Sequence, residues 1–143
     1  MPPLTRWYIK SALVYLAAAL LLALVLALPQ AAQLPSFIRY LNPAYFHLFL
    51  VGWVTQMIFG VIYWMFPIIT RARPRGNEQI GWASYILLNA GLLLRVVGEP
   101  LNATRPEAAY GWLLVASALL QWLAAVCFVY LAWPRIKEKY RGE

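Results

Sequence analysis

Four long apolar stretches constrain this chain more than any other feature of its sequence. They cover about residues 11–28, 44–69, 80–97 and 110–133. A helix of about twenty apolar residues is long enough to cross the hydrocarbon core of a bilayer. Open sheets are excluded there, because lipid offers no hydrogen-bond partner to the edges of strands. The sequence therefore predicts an all-α integral membrane protein, a four-helix bundle that forms a single membrane domain over residues 1–143.

The composition supports a membrane location. The chain is 63% hydrophobic and 12% charged, and a soluble domain of 143 residues cannot bury that much apolar surface. The net charge of +7 comes from basic residues that lie beside the apolar stretches. At such positions they are topology signals and contacts to lipid headgroups. We therefore expect the lipid bilayer as a partner, and no nucleic acid.

The distribution of basic residues predicts the orientation in the membrane. Nine of the twelve lie before the first stretch, between the second and third, or after the fourth: Arg6, Lys10, Arg71, Arg73, Arg75, Arg135, Lys137, Lys139 and Arg141. The other side holds Arg39 and Arg105, with Arg95 near a helix end. By the positive-inside rule both termini and the central loop are cytoplasmic. The compact pattern suits a multi-pass protein of a prokaryotic plasma (inner) membrane.

The first stretch shares some features with a secretory signal peptide. A basic start precedes it, and ALPQAA loosely resembles a cleavage site. Its apolar core, however, is about eighteen residues long, more than the usual seven to fifteen. We expect a retained spanning helix.

Apart from residues with hydroxyl groups and the tryptophans, five polar residues lie inside the predicted spans: His47, Gln56, Asn89, Arg95 and Gln121. The only histidine, His47, lies near the outer end of the second helix, and Arg95 lies near the outer end of the third, so the two share one level of the bilayer. Arg95 could pair with Glu99 four residues on, hold the carboxylates of a ligand, or extend to the outer headgroups. The three amides could form hydrogen bonds between helices, or they could be the polar lining of a small transporter. His47 itself could be a packed or interfacial side chain.

Other catalytic signatures are missing from the sequence. It contains no glycine-rich phosphate loop and no Cys/His cluster with zinc spacing, and no Ser-His-Asp set can be assembled. The lone Cys127 lies in an apolar stretch and is expected to be a small buried hydrophobe. Gly52 and Gly60 lie on one face of the second helix, where they permit close helix contact or the approach of a flat ligand. We expect no conventional hydrolase chemistry.

The second and third helices resemble a known family. The stretch NPAYFHLFLVGWVTQMIFGVIYWMFP resembles the histidine-bearing helices of heme-copper oxidase subunit I relatives, and most of all the short four-helix proteins of the cytochrome cbb oxidase and nitric oxide reductase branch. The third-helix stretch LRVVGEPL is similar to the same group. The residues that carry the resemblance are His47, Gly52, Trp53, Phe59, Gly60, Tyr63, Trp64, Pro67, Arg95, Gly98 and Pro100.

The resemblance implies a particular fold and a cofactor. It suggests one of the four-helix arcs from which subunit I is built, with heme b bound by His47 as the metal ligand. It also implies that Arg95 contacts heme propionates, with Gly52, Trp53 and Arg39 as further candidate cofactor-binding residues. The chain lacks a second histidine and a set of copper ligands. We therefore name no catalytic residue and do not expect one copy to reduce oxygen as an oxidase does.

Two functions are compatible with this pattern. In the first, the chain is a membrane b-type heme protein for electron transfer or for binding NO or O₂, working as a homo-oligomer with a respiratory electron-transfer partner. Two copies of His47, in a dimer or a trimer, would then hold one six-coordinate heme, whereas a single copy would leave the sixth position open. In the alternative, the chain is a non-heme structural or accessory subunit of a respiratory or denitrification membrane complex.

Overall fold

The structure is a computed structural model that describes residues 1–136. Within these residues it is all-α. The α-helices are α1 (Pro3–Leu26), α2 (Ser36–Arg39), α3 (Asn42–His47), α4 (Gln56–Met65), α5 (Glu78–Thr104) and α6 (Ala108–Ala132). A π-helix, Leu48–Thr55, joins α3 to α4, and short 3₁₀ turns occupy Ala31–Gln33 and Trp133–Arg135.

Four helical segments are long and apolar enough to cross a membrane. They are Pro3–Leu26, Asn42–Met65, Glu78–Thr104 and Ala108–Arg135, with hydropathy of 2.4, 1.7, 1.6 and 2.1. In each span, only 11–28% of the most apolar 18-residue segment is buried inside the protein. Most of this apolar surface therefore faces outward, as it would in lipid. The prediction of an all-α protein with four spans is confirmed, and the chain is a multi-pass membrane protein.

The bounds of the spans differ from the predicted ones by more than two residues in three places. Helix α1 begins at Pro3 instead of near residue 11, because its first turns pack against the other helices and bury Tyr8. The second span ends at Met65, since Phe66 is extended ahead of Pro67, as residues before proline usually are. Helix α5 continues through Pro100 to Thr104 instead of ending near residue 97.

The second span is not one uniform helix. After His47 the backbone widens into the π-helix and returns to α geometry at Gln56. The Thr55 hydroxyl donates to the Leu50 carbonyl at 2.9 Å, which adds a side-chain bond to this segment. π-helical turns are rare and frequently occur at functional sites. Here the π-helix directly follows His47, the only histidine of the chain.

The helices pack in sequence order around a core. Helix α6 lies along α5, and α1 lies against the second span. One cluster of buried residues in this core contains Leu4, Tyr8, Leu88 and Phe128. Tyr8 donates to the Ser84 hydroxyl at 3.1 Å, and Ser84 donates to the Ala124 carbonyl at 2.8 Å. This chain of hydrogen bonds connects α1, α5 and α6.

Basic residues gather at one end of the four spans, which we call the basic end. It comprises residues 1–10, 66–77 and 133–136 and contains Arg6, Lys10, Arg71, Arg73, Arg75 and Arg135. Residues 27–46 and 99–107 form the opposite end. Lys137, Lys139 and Arg141, which the sequence assigns to the same side as the basic end, lie outside the described residues.

Candidate functional site

His47 is the last residue of α3 and lies at the start of the π-helix. Its Nδ1 lies 3.0 Å from the Pro43 carbonyl oxygen, one turn earlier. A carbonyl can only accept, so Nδ1 carries the hydrogen and donates it. In the neutral ring, Nε2 is therefore the nitrogen with a lone pair. The side chain is 27% exposed, so this lone pair lies at the edge of the bundle instead of in its core.

Arg95 reaches His47 across the interface between the second span and α5. Its Nε donates to His47 Nε2 at 3.1 Å. The same Nε lies 3.0 Å from Glu99 Oε1, so one N–H is shared between an imidazole and a carboxylate. The expectation that His47 and Arg95 lie at one level is thus met by direct contact, and Arg95 does not merely extend to headgroups.

Glu99 completes a cluster of three residues, which we call the His47 cluster (His47, Arg95 and Glu99). Its Oε1 lies 3.5 Å from His47 Nδ1, and its side chain is 11% exposed. Its other oxygen, Oε2, is buried and has no hydrogen-bond partner among the described residues. The sequence indicated Glu99 only as a partner of Arg95 four residues earlier. Its contact with His47 crosses two helices, and no spacing within one helix predicts that.

Gly52 lies against α1 and not against an open surface. A Cβ built on it would lie 2.8 Å from Tyr15 Cβ and 3.0 Å from Leu92 Cδ2. Gly60 is similarly close to Tyr8, with 3.0 Å to its Cβ. Both glycines therefore serve close helix contact, and the space that a flat ligand would need on this face is filled by tyrosines.

The two remaining candidates lie apart from these contacts. Trp53 packs on Phe49, with ring centroids 4.8 Å apart. Arg39 is exposed at the end of α2 and lines a separate recess of about 400 Å³ with Leu26 and Asn42. Among the described contacts, neither side chain joins the His47 cluster.

The amides inside the spans bind one another and the backbone. Asn89 Oδ1 accepts from the Tyr15 hydroxyl at 2.9 Å and from Gln56 Nε2 at 3.1 Å. Its Nδ2 donates to the Tyr85 carbonyl at 2.8 Å. Asn89 on α5 thus joins α1 and the second span.

A second polar contact joins α5 to α6. The Ser117 hydroxyl donates to the Gly91 carbonyl at 2.7 Å, and Gln121 Nε2 donates to the Ser117 hydroxyl at 3.1 Å. Asn89 and Gln56 thus bond between helices, whereas Gln121 bonds within α6 to the hydroxyl that reaches α5. These contacts favour a packing role for the amides over a transporter lining.

Replacing Asn89 with leucine is expected to destabilise the fold by about 1.5 kcal/mol, because Tyr15 and Gln56 lose their acceptor in an apolar interior. Thermal unfolding in detergent measures this loss. Gln56→Leu is the matched variant, and it should cost less, since Gln56 Oε1 is already buried without a partner among the described residues. If the double variant lost the sum of the two single losses, Asn89 and Gln56 would not be coupled.

The candidate metal ligand is a single side chain, His47. Within residues 1–136, no group of three or more His, Cys, Asp or Glu side chains is placed to hold a metal ion.

No protein-family model, curated protein or solved structure matches this chain.

Proposed function

We propose that this protein binds a b-type heme in the membrane through His47, for electron transfer or for binding a diatomic gas such as NO or O₂. The observation that carries the proposal is the surroundings of Nδ1, which faces the Pro43 carbonyl at 3.0 Å and the Glu99 carboxylate at 3.5 Å. A metal-ligating histidine usually donates its other N–H to such a carbonyl or carboxylate, which fixes the tautomer and makes the ligand more basic. Iron would bind the remaining nitrogen, Nε2.

The tautomer of His47 suits a heme ligand, but its Nε2 is already engaged. Nε2 accepts the N–H of Arg95 at 3.1 Å, so iron and Arg95 compete for one lone pair. Heme binding therefore requires the Arg95 guanidinium to leave Nε2, after which its planar N–H groups suit a propionate. Because Tyr15 fills the Gly52 face, the exposed side of His47 is the available approach. Phe46 and Leu50, one residue before and three residues after His47, are each 54% exposed.

The proposal includes an assembly and an orientation. Each chain has one histidine, so a heme held by two histidines needs a second copy that supplies its own His47. We therefore propose a homo-oligomer, as a dimer or a trimer. Each chain would form one arc of four helices, like those of heme-copper oxidase subunit I. The concentration of arginines at the basic end supports a cytoplasmic location for that end in a prokaryotic plasma membrane. Electrons would come from a respiratory partner.

The deciding experiment is an absorption spectrum of the heme-supplemented protein in detergent, oxidised and reduced with dithionite. We expect a Soret band in the wild type and its complete loss in His47→Ala, because the iron loses its protein ligand. Sharp reduced α and β bands would indicate six-coordination by two copies, and a broad spectrum that shifts with CO would indicate an open site.

Free imidazole provides the control for this experiment. If His47→Ala keeps its fold, added imidazole should restore the Soret band by replacing the missing ligand. A wild-type protein without a Soret band, or a band that persists in His47→Ala without imidazole, would contradict the proposal.

A second candidate is a non-heme accessory subunit of a respiratory or denitrification complex. The observation that favours it is that His47, Arg95 and Glu99 already pair with one another, so the cluster holds the second span to α5 without a ligand. Purification from native membranes distinguishes the two candidates. A stoichiometric protein partner without heme supports the accessory role, whereas heme retained by the isolated chain excludes it.

A further inference from the structure

A large apolar groove opens at the basic end, between the start of α5 and the end of α6. Its volume is about 880 Å³, within the range of about 300–1,000 Å³ that is usual for ligand sites. Val129 and Trp133, which are 54% and 71% exposed, form one wall, and Ile69 and Ile80 lie opposite. These wall residues belong to apolar spans or lie next to them, so the groove faces the acyl chains of the adjoining leaflet.

A polar recess adjoins this groove. It has a volume of about 490 Å³, is lined by residues 72–79, and shares Arg73, Gly76 and Asn77 with the groove. Gly76 has a φ of +80°, a left-handed conformation that glycine adopts without strain, and the loop turns there. The backbone N–H of Arg73 donates to the hydroxyl of Thr70, a residue of the groove lining, at 3.0 Å, which holds the loop against the groove. Arg73 thus stands where apolar surface gives way to polar surface.

The charges of the two cavities favour an anion at their junction. Arg73 is the charged residue among the described side chains that line the groove, and no carboxylate lines it. The recess adds Arg75 and Glu78, which leaves a net positive charge across the two cavities. Arg75 Nε is buried and has no hydrogen-bond partner among the described residues. Guanidinium groups bind phosphate in a bidentate manner, and the carboxylate of Glu78 can accept from hydroxyl groups.

We propose that the groove and the recess together bind one anionic phospholipid whose headgroup carries hydroxyl groups, with phosphatidylglycerol as the chemical prototype. The acyl chains would lie along the Val129 wall, the phosphate at Arg73, and the glycerol headgroup in the recess with Glu78. Basic pockets between membrane helices commonly bind anionic lipid headgroups on the side of the membrane that positive residues mark. This site is independent of His47 and of heme, because it lies at the other end of the spans.

The test is native mass spectrometry of the full chain released from nanodiscs that contain equal amounts of phosphatidylglycerol and phosphatidylcholine. We expect the wild type to retain one phosphatidylglycerol in preference to phosphatidylcholine. Arg73→Gln should weaken this retention roughly fivefold, the effect of about one basic contact at a membrane surface. Arg71→Gln makes the same charge change two residues away, outside the groove lining, and should leave retention unchanged.

A second variant tests the apolar half of the site without changing charge. Val129→Trp fills the groove and should also reduce phosphatidylglycerol retention, so the proposal can be decided even if Arg73→Gln fails to fold. Equal retention of the two lipids, or equal losses in Arg71→Gln and Arg73→Gln, would overturn it. A dimer that survives without bound lipid and dissociates in Val129→Trp would also overturn it, since a second copy would then occupy the groove.

Discussion

Replacing Arg135 with methionine should destabilise the protein by about 3 kcal/mol, a large effect for a residue beyond the end of the last helix. Arg135 is 1% exposed. Its Nε donates to the Pro67 carbonyl at 3.0 Å, and its Nη2 donates to the carbonyls of Tyr63 at 3.1 Å and Phe66 at 2.7 Å. Carbonyls at the end of a helix lack partners within that helix. Arg135 therefore caps the second span from a different part of the chain.

The magnitude follows from the hydrogen bonds that would be lost. Each bond from a charged donor contributes about 1.5–3 kcal/mol, and water that enters at the basic end would recover part of the total. Thermal unfolding in detergent should show a fall in Tm of roughly 10 °C. The Tm of Arg135→Lys should lie between those of the wild type and Arg135→Met, because a compact ammonium group cannot reach all of the acceptors that a guanidinium spans.

The matched control for Arg135 is Arg71→Met. It removes the same charge from an exposed position at the same end, and its Tm should stay within about 1–2 °C of the wild type. If the two methionine variants lost equal stability, the loss would come from net charge, and the capping role would be wrong.

Gly91→Ala is the second substitution with a large expected effect, about 2–3 kcal/mol of destabilisation. An added Cβ would lie 2.9 Å from the Ser117 carbonyl oxygen and 2.9 Å from Gln121 Cγ. A backbone oxygen cannot rotate away as a side chain does, so α5 and α6 must separate. That separation also weakens the 2.7 Å bond from the Ser117 hydroxyl to the Gly91 carbonyl.

Gly111→Ala makes the same chemical change with the opposite expected sign. Nothing lies within 4 Å of the Cβ position at Gly111, which is inside α6. Alanine should stabilise the helix there by up to about 1 kcal/mol, because it has the higher helix propensity. Thermal unfolding of the two variants side by side measures the difference. A fall in Tm of similar size in both would contradict the close approach of α5 and α6 at Gly91.

One part of the His47 cluster can be predicted from the sequence, and the other part depends on the tertiary structure. The levels of His47 and Arg95 follow from counting residues along two antiparallel helices, at about 1.5 Å per residue. The contact of Glu99 with His47 depends on how each helix is rotated about its axis. The π-helix Leu48–Thr55 changes that rotation partway along the second span, so residues on its two sides do not keep the usual helical spacing.

The sequence by itself determined that the chain is all-α with four membrane spans, because long apolar stretches leave the backbone no other way to satisfy its hydrogen bonds in lipid. It also indicated that His47 and Arg95 lie at one level of the bilayer. It could not indicate that Arg135 caps the second span, that Glu99 lies beside His47, or that Tyr15 fills the face of Gly52. Only the tertiary structure decided these contacts, because they join helices distant in sequence, and their geometry depends on how side chains interlock when the helices pack.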